Sequence, residues 1–202
     1  MRNQYLYIVL TRTNTVMSRL IQIIKNDSYT HASISLDSNL HHMYSFGRKY
    51  TFNPFLGRFK KEDIDEGIYK LSRTVPCVIM EVQVSEQQYE RVKELLEQFI
   101  SNRNIYKYNY IGLLHNLIKK SVCYDYRFLC SEFVYHILNE SGIVEFNKSR
   151  NLVSPENLLD IEGKIVYQGD LKHMDLLYRA QEIEEIKLKE LNAIKELSAI
   201  YE

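Results

Sequence analysis

An α+β fold, with strands packed against helices and an amphipathic helix at the C-terminal end, is what this sequence predicts. Three observations carry it. Short apolar or alternating segments bounded by polar residues recur through the first half of the chain. Segments with apolar residues at helical spacing, opened by capping residues, stand among them and dominate the second half. Hydrophobic residues make up 45% of 202, enough to bury a core within one domain. We divide the chain into a domain over 1–172 and a helical extension over 173–202.

Tyr5 to Leu10 is an apolar run with Tyr, Ile and Val, a buried strand. Polar Thr11 to Thr15 leads into a helix whose Val16, Leu20, Ile23 and Ile24 share a face, stopped by Asn26-Asp27-Ser28. From His31 to Asp37, Ala32, Ile34 and Leu36 alternate with polar residues, the mark of a half-buried strand. Met43 to Phe46 reads as the next strand. Gly47 to Glu66, with Pro54, two Gly and mixed charges, reads as a long irregular loop. Ile68 to Leu71 and Val78 to Val84 read as strands.

Ser85 and Gln88 form a capping box for a helix to about Ile100, with Tyr89, Val92, Leu95, Leu96 and Phe99 on one face. A Tyr-rich connection and a helix over Tyr110 to Lys119 follow. Leu129 to Asn139 is an apolar helix ended by Ser141-Gly142. Ser154-Pro155 starts another helix, and Lys164 to Tyr167 is the final strand. Ile183 to Leu197 is a charged amphipathic helix; a solvated helix is its plainest use, and an oligomer or partner contact is the alternative.

Charge and cysteine usage exclude several classes. The 26 basic and 26 acidic residues balance, so nothing draws the chain as a whole to nucleic acid or an anionic membrane. Cys77, Cys123 and Cys130 are odd in number and widely spaced, which argues against a disulfide framework or a thiolate zinc site. The six-residue apolar run at the start is too short for a signal peptide, and no stretch approaches a membrane span. A cytoplasmic protein without metal or cofactor is the expectation. The 16 Tyr, against no Trp, suit both a core and a cleft rich in hydroxyl groups.

Cys130 stands at the start of a helix, where the dipole and unpaired N–H groups favour the thiolate. Those N–H groups are also suited to an oxyanion. A buried structural cysteine is the competing reading. His31 opens a strand with an apolar opposite face, from which an imidazole can serve a neighbouring thiol as base and then acid. The competing reading is an ordinary core or surface histidine. Neither residue is specific alone.

Together they carry a resemblance. The helix after the first strand, then Tyr29-Thr30-His31-Ala32-Ser33-Ile34, then a short strand, and much later Cys130-Ser131-Glu132-Phe133-Val134, resemble the circularly permuted NlpC-type papain-like cysteine hydrolases, including the YiiX-like group. Ser154-Pro155-Glu156-Asn157-Leu158 is similar to that family's element after the Cys helix. The resemblance covers about residues 5 to 170. It implies an antiparallel sheet or small barrel against helices, with Cys130 as nucleophile and His31 as base. It further implies a peptide, amide or acyl substrate and a thioester intermediate. Relatives of the permuted family include acyltransferases, so a lipid acyltransferase or esterase using the same pair is an alternative.

The family usually places a third polar residue, often Glu or His, on the strand after the His strand. Ser45 matches that position, and a hydroxyl cannot stabilise an imidazolium as a carboxylate does. Asp37 and His42 are alternatives, as is no third residue. The missing carboxylate favours a weak or inactive papain-like binding module as a further alternative. Tyr29, Tyr44 and Ser131 are expected to line the substrate cleft. His41-His42 reads as a loop pair rather than a metal site. Glu132, in the first turn of the Cys helix, complements its dipole.

Overall fold

A computed structural model describes residues 3–12, 28–50, 53–110, 112 and 120–174 of the chain. Its backbone is a six-stranded antiparallel sheet in the order β4-β3-β2-β1-β5-β8, packed against a few helices. The strands are β1 Gln4–Thr11, β2 His31–Ser35, β3 Met43–Tyr50, β4 Asn53–Glu62, β5 Pro76–Val84 and β8 Lys164–Asp170. Helix α1 is Gly67–Leu71, α2 Glu86–Ser101 and α3 Cys130–Glu140. Two short parallel strands, β6 Lys107–Tyr108 and β7 Arg127–Phe128, lie ahead of α3. The expected helices over 16–25 and 183–197, and most of that over 110–119, lie outside the described residues. No helix among the described residues is long and apolar enough to cross a membrane.

The continuous apolar run of β1 follows from its place. It is paired on both sides, with β2 and β5, and both of its faces are covered. Leu6, Ile8 and Leu10 join Ala32, Ile34, Val78 and Met80 in a core closed by Val92, Leu96 and Phe99 of α2 and Phe133, Val134 and Ile137 of α3. Tyr7 and Val9 join Met43, Cys77, Ile79 and Tyr69 of α1 on the opposite face.

Two expectations are corrected. The irregular loop over 47–66 is a β-hairpin for most of its length: β3 runs on to Tyr50 and β4 returns to Glu62, with Ser45 opposite Lys60 and Met43 opposite Glu62. β4 is an edge strand. Edges tolerate proline and carry charge to prevent further pairing, so Pro54, Arg58 and Lys61 disguise a strand as a loop. Ile68 to Leu71 belongs to α1, not to a strand. Four apolar residues do not distinguish the two states.

The Cys helix is held by aromatic rings. Phe133 lies 5.4 Å from Phe46 of β3, 5.5 Å from Phe59 of β4 and 5.0 Å from Phe99 of α2, centroid to centroid. Such pairs add about 0.5–1.5 kcal/mol each beyond buried area. Three elements thus fix the helix one turn in from Cys130. At its far end Gly142 takes a positive φ of 64°, the left-handed residue that closes a helix.

Candidate active site

β2 and β3 pair over only Ile34–Tyr44 and Ser35–Met43. Before Ile34 the two strands are not laddered, and α3 lies against both. The helix N-terminus reaches β2 there. The His31 imidazole, with the backbone N–H groups of Ala32 and Ser131, stands close enough to the Cys130 thiol to favour its ionised form. Leu129, at the N-cap, offers no side-chain acceptor for the first-turn N–H groups, so the Ser131 N–H is available to the sulfur.

His31 Nε2 lies 3.0 Å from Glu62 Oε1 and 3.2 Å from Oε2. With Nε2 so engaged, Nδ1 is the nitrogen left for the thiol. Glu62 is 3% exposed, and a buried carboxylate needs its lone pairs satisfied. Ser33 Oγ donates to Oε2 at 2.7 Å, Tyr69 Oη donates to Oε2 at 2.8 Å, and Lys60 Nζ lies 3.2 Å from Oε1. Each partner comes from a predictable position. Ser33 follows His31 on the same face of β2, Lys60 precedes Glu62 on the same face of β4, and α1 delivers Tyr69.

Charge follows geometry. Burial works against a proton on His31, but the Glu62 carboxylate overcomes it, helped by the bonds to Cys130 and Glu62, and the imidazole is raised to about 10. Burial likewise opposes ionisation of Glu62, yet the charges of His31 and Lys60 hold it well below the usual carboxylate range. For Cys130, burial raises the thiol, while the His31 bond, the His31 charge and the two backbone N–H groups bring it below its ordinary value. The arrangement favours a thiolate–imidazolium pair backed by a carboxylate. By contrast, Cys77 is buried and pushed up to about 12 by that burial, and Cys123 is exposed beside Ser149.

The other expected site residues are distributed differently. Ser45 is not bonded to His31: it is fully buried, and its hydroxyl has no hydrogen-bond partner among the described residues. The orienting bond comes from the strand beyond, because β4 carries Glu62 back alongside β3. Asp37 and His42 pair with each other, Oδ2 to Nδ1 at 3.0 Å, in the turn before β3. Tyr44 belongs to the core, 8% exposed and stacked on Phe59 at 5.9 Å. Ser131 is buried, with its hydroxyl donating to Val153 O at 2.7 Å; its backbone, rather than its side chain, faces the thiol. Tyr29 is half-buried two residues before His31, with its hydroxyl near Gln168. Glu132 does more than complement the helix dipole. It accepts from the Leu129 N–H at 3.1 Å and pairs with Arg150 Nε at 3.1 Å, which anchors the segment leading into Cys130.

Ser45→Ala is therefore expected to leave activity and the reactivity of Cys130 unchanged. It is expected to hold or raise stability by up to about 1 kcal/mol, since it removes an unsatisfied buried hydroxyl. Thermal unfolding and thiol-labelling rates check this. A loss of reactivity would return Ser45 to the site.

Glu62 was hidden in the sequence by the charged string Lys60-Lys61-Glu62-Asp63, which reads as solvated loop. No strand period marked it, since Phe59 is followed by four charged residues in a row. Compared with protein-family models, with curated proteins and with solved structures, the chain finds no match.

Proposed function

We propose that the chain is a cysteine hydrolase of the permuted papain-like type, acting on an amide, peptide or acyl-ester carbonyl. One observation carries this reading: His31, held at 3.0 Å by buried Glu62, serves the Cys130 thiol at the start of α3 and favours its ionised form. The order of a His strand before a Cys helix, and an antiparallel sheet between two cores, support the permuted arrangement.

The Cys130 thiolate attacks the carbonyl carbon and forms the C–S bond. The carbonyl electrons move to oxygen, within reach of first-turn N–H groups of α3. As the oxyanion collapses, the bond to the leaving nitrogen or oxygen breaks, and His31 gives that atom its proton. Neutral His31 then takes a proton from water as the hydroxyl adds to the thioester. The C–S bond breaks, the acid leaves, and the thiolate–imidazolium pair is restored. An acyl acceptor in place of water makes the same step a transfer. The binding-module reading rested on a missing carboxylate, and Glu62 supplies one.

Competitive labelling tests the reading without a known substrate. At pH 6 an ordinary thiol is almost wholly protonated. Iodoacetamide is expected to modify Cys130 about tenfold faster than exposed Cys123, with Cys77 inert, because thiolate content outweighs exposure. Peptide mapping reads the order of labelling, and Cys130→Ser supplies the blank. Faster labelling of Cys123 at pH 6 would end the nucleophile assignment.

A further inference from the structure

Lys60 is placed with more care than a surface lysine requires. Its Nζ lies 3.2 Å from Glu62 Oε1, the oxygen that His31 Nε2 takes at 3.0 Å, while Ser33 and Tyr69 donate to Oε2. Its side chain is one quarter exposed, with the stem lying along β3 toward the carboxylate. Gly47 makes the room. A Cβ there would stand 2.8 Å from Lys60 Cε and 3.3 Å from Glu62 Oε1. Any larger residue at Gly47 drives the lysine stem off its path.

Two cations on one carboxylate oxygen weaken each other's hold. His31 faces Glu62 from β4 and Cys130 from α3. Glu62 in turn faces Lys60 on its own strand, the Ser33 hydroxyl from β2 and the Tyr69 phenol from α1. A general acid must release its proton within turnover. The Glu62 carboxylate bonds the Nε2 proton, and through its charge it also makes His31 a weaker acid at Nδ1, the nitrogen left for the thiol. We propose that Lys60 is a positioning residue for the Cys130–His31 pair: by sharing Glu62 Oε1 with His31, it offsets part of the carboxylate's hold on the imidazolium charge, so that His31 releases its Nδ1 proton to the leaving group. The proposal rests on the hydrolase reading above.

The test is the pH dependence of Cys130 alkylation by iodoacetamide, followed by peptide mapping from pH 4 to 11 in the full-length protein. Two steps are expected in the wild type: an acid step where the thiolate forms, and an alkaline step where His31 loses its proton. In Lys60→Met the alkaline step is expected to rise by about half a pH unit, since a nearby like charge has been removed from the imidazolium. Lys60→Arg, charged throughout this range, should return it to the wild-type position. An unmoved or lowered alkaline step in a folded Lys60→Met protein overturns the proposal. Should that variant fail to fold by circular dichroism, Gly47→Ala displaces the ammonium without deleting it; it must raise the step likewise, and an unmoved step there overturns the proposal. A wild-type profile with a single step at the ordinary thiol pH overturns the hydrolase reading itself, and Lys60's role with it.

Discussion

Replacing Glu62 by Gln is expected to lower turnover by about 10²- to 10⁴-fold, on the scale seen when a catalytic imidazole loses its carboxylate. The amide keeps the volume and can still accept from Ser33 and Tyr69, so the loss is one of charge. Without the anion, burial governs His31. The imidazole then falls from about 10 to or below its ordinary range, and the thiolate that depends on its charge is depleted at neutral pH. The fold is expected to survive, because neither cation is trapped. His31 can shed its proton, and Lys60, a quarter exposed, can turn to water. The alkaline step of Cys130 alkylation should move down, opposite to the movement expected for Lys60→Met. Unchanged alkylation in folded Glu62→Gln would exclude Glu62 from the site.

The same variant carries a stability signature with a definite sign. His31 is raised in the folded protein, so its contribution is complete below the unfolded value near 6.5 and is lost as pH rises through about 10. Glu62 is lowered, so its contribution is present above its unfolded value near 4.5 and is lost as pH falls through the folded one. The wild type should therefore exceed Glu62→Gln in stability most between about pH 4.5 and 6.5, and converge with it toward either extreme. Denaturant unfolding across this range reads the difference.

The strands nearest the chain's start were legible because two-sided burial writes itself as uninterrupted apolar residues, as in Tyr5 to Leu10. His31 and Cys130 were legible through their settings, a strand start and a helix start. Glu62 was not, for a reason built into its position. An edge strand must look polar to avoid further pairing, so a functional carboxylate on β4 is camouflaged by Arg58, Lys60 and Lys61. Ser45 was matched instead because it lies on the strand next to His31's, whereas the hairpin turns back and sets Lys60 opposite Ser45 and Glu62 opposite Met43. Register of that kind depends on the hairpin's return, and its turn lies outside the described residues. Tyr44 misled for the complementary reason. An aromatic on a short strand beside a histidine suits a cleft, but its neighbours Phe46 and Phe59 draw it into the core.

His31→Ala is expected to abolish turnover, with a loss of at least 10³-fold, and it separates the two sources of thiol activation. In this variant Glu62 keeps Ser33, Tyr69 and Lys60 as donors, so the carboxylate is not stranded and the sheet should hold. Cys130 keeps the N–H groups of Ala32 and Ser131 and the end of the α3 dipole, but loses its bonded base and the adjacent positive charge. Burial, which already opposes the thiolate, then dominates, since a helix terminus contributes at most about 2 kcal/mol. Cys130, nearly as buried as Cys77, should come to resemble it, and labelling at pH 6 should pass to exposed Cys123. Mapping the iodoacetamide adducts in wild type and variant decides it. Should Cys130 still outrun Cys123 at pH 6 without the imidazole, the helix N-terminus alone activates the thiol and His31 is not its base.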